Sequence, residues 1–338
     1  MTPELAIAFQ TDKSASEYVS LAQFIDPFNF DVVSVYHDLP FHPGYSALLL
    51  MAPNLHNCRV GIASAIPSRM HPIDIAANTA LLADLVPDSS SVYIGLARGA
   101  WLSAHGISER KPALTAIRES VDIIRYMLSG QTGGYNGKVF QLAEHVRTPY
   151  PTPEKMPRLM IGTWGKKLSA IAGEIADEVK IGGSANPDVV PAIKDYIAVG
   201  ENNASRQQGS VGVVMGAVCV VDEDRDAARA KARREVALYL PVVADLDPTI
   251  QLDPHYVTRL QAEVERNDFD AAAKLISDEM LDKFAFSGNA DDLIAQSHAL
   301  LEAGTHRIDF GTPHGLNPET GIRILGETVL PELRKHWV

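Results

Sequence analysis

The sequence predicts an α/β protein, a (β/α)8 TIM barrel with insertions, formed as a single domain by all 338 residues. Short β-rich runs alternate with longer helical patterns along the chain, giving eight strand–helix pairs. Strand runs such as VGVVMGAVCVV at 211–221 are apolar at nearly every position, as parallel strands covered on both faces are. A doubly wound open sheet is the competing fold, but it carries a Gly-rich dinucleotide turn after its first strand, and this sequence has none.

The pattern also predicts where each element lies. Pro72 begins one helix, at a position where no amide hydrogen is missed, and Asp224 is the N-cap of another. Two stretches interrupt the alternation: a Gly/Pro-rich insertion near 129–157, read as a short hairpin, and an irregular one near 241–286. Strands are expected at 5–9, 32–36, 59–63, 92–96, 159–161, 179–181, 211–221 and 307–310, and helices at 16–25, 45–52, 72–85, 112–128, 167–176, 187–199, after Asp224, at 290–303 and from Pro318.

Composition narrows the class of protein. The net charge of −12 argues against a nucleic-acid or anionic-membrane partner, because phosphates would be repelled. Cys58 and Cys219 lie far apart in apolar runs and are expected to be free buried thiols in a reducing compartment. The N-terminus lacks the pattern of a signal peptide, and no apolar run is long enough for a membrane helix. We therefore expect a cytoplasmic protein with a small-molecule substrate.

The active site of such a barrel is built from loops at the C-terminal ends of the strands. After the first strand, Ala8 and Gln10 share one face by the two-residue period. After the second, His37 either titrates near neutral pH or donates to a ring carbonyl, and Asp38 is expected to fix its tautomer. The alternative is a loop histidine followed by an N-capping aspartate.

Small residues follow the third and fourth strands. Ala63 and Ser64 lie in GIASAIP, and Arg98 and Gly99 lie in GLARGAW. Such residues allow a flat group to approach the backbone closely, although turns need glycine anyway.

The fifth and sixth strands each lead through a glycine-rich loop into a helix, which predicts a phosphate site. Free amide hydrogens, a hydroxyl and lysines meet at the positive end of the helix dipole. The alternative is ordinary helix capping. The candidate residues are Gly162, Thr163, Trp164, Gly165 and Lys166 after strand five, and Gly182 and Gly183 after strand six. The loop at 311–315, after strand eight, is expected to flank the site.

Metal and Schiff-base chemistry have less support. The eleven histidines include no pair spaced i, i+2 at a strand end, so no metal site is expected. Lys180, within strand six, is the one strand lysine that Schiff-base chemistry could use.

These motifs resemble the luciferase-like superfamily of flavin- and deazaflavin-dependent barrels, and within it the F420-dependent methylenetetrahydromethanopterin reductases. The resemblance spans nearly the whole chain and is strongest in LMIGTWGKKLSAIAGEIADEVKIGGSANP at 159–187, with RVGIASAIPSRMHP, VYIGLARGAW and DFGTPHG beside it. It implies coenzyme F420, or alternatively FMN, lying across the strand ends with its phosphate near loops five and six. It also implies a non-prolyl cis peptide at Ala63–Ser64, backing the ring, and a homodimer.

Two departures leave the substrate open. Ala8 stands where those reductases carry an acid, and His37-Asp38 reverses the order expected after strand two. We expect hydride transfer between the deazaflavin and a pterin-like or other small organic substrate, with His37 and Asp38 in the proton role and Gln10 orienting. The alternatives are an FMN-dependent monooxygenase, or a coenzyme-binding barrel without turnover.

Overall fold

The computed structural model describes residues 2–88 and 91–335. A parallel sheet has nine strands: β1 (Glu4–Phe9), β2 (Val32–Tyr36), β3 (Arg59–Ala65), β4 (Val92–Ala97), β7 (Arg158–Gly162), β8 (Glu178–Gly182), β9 (Gly212–Val221), β10 (Ala285–Gly288) and β11 (Arg307–His314). They run in the order β10-β9-β11-β1-β2-β3-β4-β7-β8, and β8 also pairs with β9. That last pairing closes every strand but β10 into a barrel, so the barrel prediction is confirmed.

The helices that cover the barrel lie close to their predicted positions. Asp224 caps its helix as expected, its carboxylate accepting from the Ala227 N–H at 3.0 Å. The helices that cover the barrel are α1 (Ala15–Ile25), α2 (Gly44–Met51), α3 (Pro72–Leu85), α4 (Ala113–Leu128), α5 (Lys166–Ile175), α6 (Val190–Asn203), α7 (Arg225–Ala237), α12 (Ala290–Glu302), α13 (Pro318–Ile324) and α14 (Leu330–Arg334).

The first insertion contains a short antiparallel hairpin, β5 (Tyr135–Asn136) with β6 (Gln141–Leu142). Glu119 of α4 holds it, because its buried carboxylate accepts from the N–H groups of Lys138, Val139 and Phe140 at 2.6–2.9 Å.

The second insertion is not irregular, and that expectation was wrong. It holds α8 (Leu240–Leu246), α9 (Pro254–Glu265), α10 (Phe269–Lys274), α11 (Asp278–Phe284) and β10 (Ala285–Gly288), which pairs with the end of β9. Three of these helices are capped by Asp253, Asp268 and Ser277, whose side chains accept hydrogen bonds from first-turn amides. Short helices show little apolar periodicity of their own. A separate core that includes Leu260 and Phe284 stabilises them.

Apolar side chains fill the space between strands and helices, and Cys219 is buried there while Cys58 is partly exposed; both are free thiols. The inside of the barrel is different, because its lower part is filled with paired charges. Glu178 accepts from Arg59 at 3.0 Å and from Arg307 at 2.9 Å, and Arg59 also holds Glu4. Buried charges are tolerated only when paired in this way. The barrel is therefore closed below, and a ligand has access from the C-terminal end.

Candidate active site

The mouth of the barrel has a floor of small residues. Ala63, Ala97, Gly162 and Gly182 stand at inward positions near the upper ends of four adjacent strands, β3, β4, β7 and β8. A Cβ added to Gly182 would meet no atom within 4 Å, so open space lies above it. A flat group can therefore lie close to the backbone there.

The peptide between Ala63 and Ser64 is cis, and the β3–β4 register shifts at this point, so the expected non-prolyl cis peptide is confirmed. Ser64 leans across the neighbouring strands. Its Oγ lies 3.1 Å from where a Cβ of Gly95 would stand and 3.4 Å from that of Gly162. A Cβ at Gly95 would also lie 2.3 Å from the Ile62 carbonyl, so the bulge requires glycine on β4.

His37 is a buried neutral histidine. Its Nδ1 accepts from the Gly44 N–H at 2.8 Å, so its tautomer is set by Gly44 and not, as expected, by Asp38. Burial, with a smaller effect from Arg69, lowers the pKa of His37 from 6.5 to about 4. His37 therefore does not titrate near neutral pH. Because its Nδ1 is an acceptor, its Nε2–H is the group that can donate a hydrogen bond.

Asp38 and Gln10, two of the candidate site residues, are in contact. Gln10 Nε2 donates to Asp38 Oδ2 at 3.1 Å, while Gln10 Oε1 accepts from the Thr11 N–H at 2.9 Å. Water reaches Asp38, yet protein surrounds it on most sides. This desolvation raises the pKa of Asp38, against the smaller lowering effects of Gln10, Arg69 and Lys180. Asp38 is therefore a carboxyl group with a raised pKa that faces the mouth.

The loop after β7 leads into α5, and the N-terminus of this helix is open. Gly165, the N-cap of α5, offers no side chain, and no described residue accepts from the amides of Lys166, Lys167 and Leu168. The Thr163 hydroxyl accepts from the Gly165 N–H at 2.9 Å, which holds the turn. Such an end attracts an anion. The Lys166 ammonium lies 5.6 Å from the centre of the Tyr196 ring on α6, so this lysine lies against a neighbouring helix.

The backbone N–H groups that follow β8 already have hydrogen-bond partners within the protein. The N–H groups of Gly183 and Ser184 both donate to the Gly216 carbonyl, at 2.7 and 3.1 Å. The side chain of Asn186 caps the next turn. Trp164 joins the two exits, its Nε1–H donating to the Gly182 carbonyl at 3.1 Å. An anion therefore has one open helix end here, at α5, rather than the two that the sequence indicated.

Arg98 and Gly99 lie in the loop after β4. Arg98 forms a two-pronged ion pair with Glu109, at 2.7 and 3.1 Å, on the exposed surface. Gly99 has φ +92°, and a Cβ there would press on Ile66 of the preceding loop at 2.8 Å. These two residues shape the loop, and Arg98 has its charge already paired.

Three further polar residues, Lys180, Asp309 and Tyr36, lie at or below the floor, and of these the sequence indicated Lys180 alone, for Schiff-base chemistry. Lys180 is paired with Asp309 inside the barrel, so its ammonium is an ion-pair partner and not a free amine for Schiff-base chemistry. Tyr36, at the end of β2, has the Lys180 ammonium 5.6 Å from its ring centre. A period-two reading could have found them, because each is polar at an inward position of a buried strand.

Two other features lie elsewhere. Among residues 2–88 and 91–335, Glu4, Glu178 and His306 alone form a group with metal-ligating atoms within 4.8 Å. Arg59 and Arg307 already pair with those carboxylates, so we assign no metal there. A broad cleft of about 1170 Å³ lies between α7 and α10, and none of the candidate coenzyme residues lines it.

The barrel is closed, and its candidate site lies at the C-terminal ends of the strands. Enzymes with the (β/α)8 fold have their active sites at this end. Residues 4–307 match the family described as luciferase-like monooxygenase, and the chain belongs to that family. The resemblance seen in the sequence is thereby confirmed.

Known proteins similar to this chain share nearly its full length. It is 28% identical over 299 residues to 5,10-methylenetetrahydromethanopterin reductase of Archaeoglobus fulgidus, covering 86% of this chain and 87% of the relative. The fold of the coenzyme F420-dependent tetrahydromethanopterin reductase from Methanopyrus kandleri matches with a TM-score of 0.87 at 22% identity, over 98% and 100% of the two chains. An F420-dependent secondary alcohol dehydrogenase in complex with an F420–acetone adduct matches with a TM-score of 0.79 at 18% identity, over 99% and 100%.

Proposed function

We propose that the protein is a coenzyme F420-dependent oxidoreductase that transfers a hydride between the deazaflavin and a small organic substrate, with pterin-like compounds among the candidates. One observation carries the proposal: the uncapped N-terminus of α5 lies beside a floor of small residues at the ends of β3, β4, β7 and β8. The similarity to a methylenetetrahydromethanopterin reductase supports F420 as the coenzyme.

The residues present fit such a coenzyme. The amides of Lys166, Lys167 and Leu168 would hold its phosphate, and the floor around Ala63 and Gly162 would lie under its ring. When bound, the coenzyme supplies the hydride, a two-electron step. Trp164 keeps the phosphate loop against β8, and Ser64 backs the ring position.

The chain itself handles the proton. Because its pKa is raised, a larger fraction of Asp38 is protonated at neutral pH than of an ordinary aspartate. Gln10 orients the Asp38 carboxyl group through a hydrogen bond. His37 stays neutral and contributes a hydrogen bond rather than a charge. We assign the proton role to Asp38, with His37 and Gln10 positioning the loop.

Reduced F420 mixed with the protein and a substrate panel tests this function. The panel contains methylenetetrahydromethanopterin, acetone and other small carbonyl compounds, and the return of the oxidised F420 absorbance is followed. Turnover with at least one substrate, without oxygen uptake, is expected. Oxygen uptake with reduced FMN instead would assign the protein to the monooxygenase branch of the family, and no turnover by a coenzyme-bound protein would indicate a barrel without catalysis.

We further propose that the chain is one barrel domain with insertions near 129–157 and 241–286, that it forms a homodimer, and that it works in the cytoplasm without nucleic-acid partners. Acidic net charge supports the last point. Of the helices in the described part of the chain, none has both the length and the apolar character needed to span a membrane.

A further inference from the structure

The Tyr36 side chain crosses the mouth of the barrel from β2 to β11. Its hydroxyl lies 2.7 Å from where a Cβ of Gly311 would stand. β1 lies between these strands, and its register with β2 and β11 brings Ala8 to this level. The phenol therefore passes in front of Ala8. A methyl group there and no side chain at Gly311 leave room for the ring.

The hydroxyl has no partner in the part of the protein that the structure describes. No described residue hydrogen-bonds it, and it is not among the buried polar atoms that lack a partner, so solvent reaches it. Beneath it, Asp309 pairs with the Lys180 ammonium and with Arg307, whose Nε lies 3.0 Å from Asp309 Oδ1 without a hydrogen bond between them. The Tyr36 O–H is therefore a donor at the floor of the mouth that no described residue uses.

The surroundings keep this phenol protonated. Desolvation is the main cause that raises the pKa of Tyr36 well above its usual 10, and the charges of Asp309 and Asp38 add to it. Across the physiological range, Tyr36 therefore offers an O–H donor to whatever lies over the floor.

We propose that the Tyr36 hydroxyl is a further catalytic group of the site, the donor to the heteroatom of a carbonyl or imine substrate. This inference rests on the proposed function. The substrate carbon accepts a hydride from the two-electron-reduced deazaflavin, and the electrons of its double bond move to the heteroatom. That atom takes the Tyr36 proton as the coenzyme returns to its oxidised state, and Asp38, whose charge acts on Tyr36, returns a proton to the phenolate and is itself reprotonated from water. In the oxidative direction every step reverses.

The test compares Tyr36→Phe with Tyr93→Phe. Tyr36 loses no protein hydrogen bond, so Y36F is expected to melt within about 2 °C of wild type. Tyr93, deeper in the barrel, donates to Ser34 at 2.8 Å, so Y93F is the control for loss of a phenol away from the floor. We expect Y36F to bind F420 within twofold of wild type while kcat on the best panel substrate falls about a hundredfold. Turnover of Y36F within threefold of wild type overturns the proposal but leaves the proposed function standing.

A second measurement does not depend on turnover. Protein labelled with [ζ-13C]tyrosine shows one resonance per tyrosine, and Y36F assigns that of Tyr36. Acetone, added as the carbonyl probe to protein without coenzyme, is expected to shift the Tyr36 signal and leave that of Tyr93 in place. An unmoved Tyr36 signal contradicts the inference. If wild type fails to bind F420 while the Tyr36 signal shifts, the proposed coenzyme is wrong and the donor assignment holds.

Discussion

The substitution Gly165→Asp is expected to stabilise the protein and weaken coenzyme binding at once. Gly165 has φ −79° and ψ 126°, which any residue adopts, and an added Cβ meets only Thr163 Oγ1 at 3.5 Å. An aspartate N-cap is a few tenths of a kcal/mol better than glycine, and its charge at the helix N-terminus adds about 0.3–1 kcal/mol. Urea unfolding should therefore show a gain of about 0.5–1 kcal/mol.

The same carboxylate occupies the α5 amides and repels a phosphate. Loss of a charge-assisted hydrogen bond costs about 1.5–3 kcal/mol, so the Kd for F420 should rise about a hundredfold in a fluorescence titration. Gly165→Ala, which adds no acceptor, should bind within threefold of wild type. Asn289→Asp adds the same charge at the N-cap of α12 and serves as the second control. Unchanged F420 binding by Gly165→Asp would refute the phosphate site.

Three further predictions concern the floor, the barrel interior and pH. Gly182→Val should leave the melting temperature unchanged, since its Cβ enters open space, yet raise the Kd for F420 at least tenfold in the same titration. Asp309→Asn should lower the free energy of unfolding in urea by about 3–5 kcal/mol, because the buried Lys180 loses its charged partner and Arg307 keeps only Glu178, whereas Glu327→Gln in an exposed pair should cost under about 0.5 kcal/mol; equal losses would contradict this. The folded-state pKa of His37 is lowered from 6.5 to about 4, so its contribution is present above pH 6.5 and is lost as the pH falls through 4. His37→Asn, which keeps an acceptor for Gly44, should reduce the acid-side loss of unfolding free energy by about 3 kcal/mol; an unchanged profile would argue against a buried neutral histidine.

The fold could be predicted because the barrel strands are apolar and separated by helices with clear start signals. Asp224 and Pro72 lie where the sequence placed them. The helices at 240–284 were missed because three of the four have only six or seven residues and all pack into one shared second core, a tertiary effect that periodicity cannot show.

The candidate site was predicted in part. The cis peptide at Ala63–Ser64 was expected and is present, whereas the hydrogen bond from Gln10 to Asp38 is shown by the structure alone. Which residue of His37-Asp38 faces the mouth was not, because strand alternation fails once the chain leaves β2 and Gly44 takes the imidazole. The hydrogen bond of the Gly183 amide could not be predicted either, since only the fold shows that the Gly216 carbonyl accepts it.

The central claim is that the barrel mouth holds a deazaflavin, and competitive equilibrium titration tests it most directly. Oxidised F420 and FMN are titrated separately and then together against the same protein. The structure predicts that F420 saturates one site per chain at micromolar protein and that excess FMN does not displace it. Absence of F420 binding at that concentration, or tighter binding of FMN, would contradict the account.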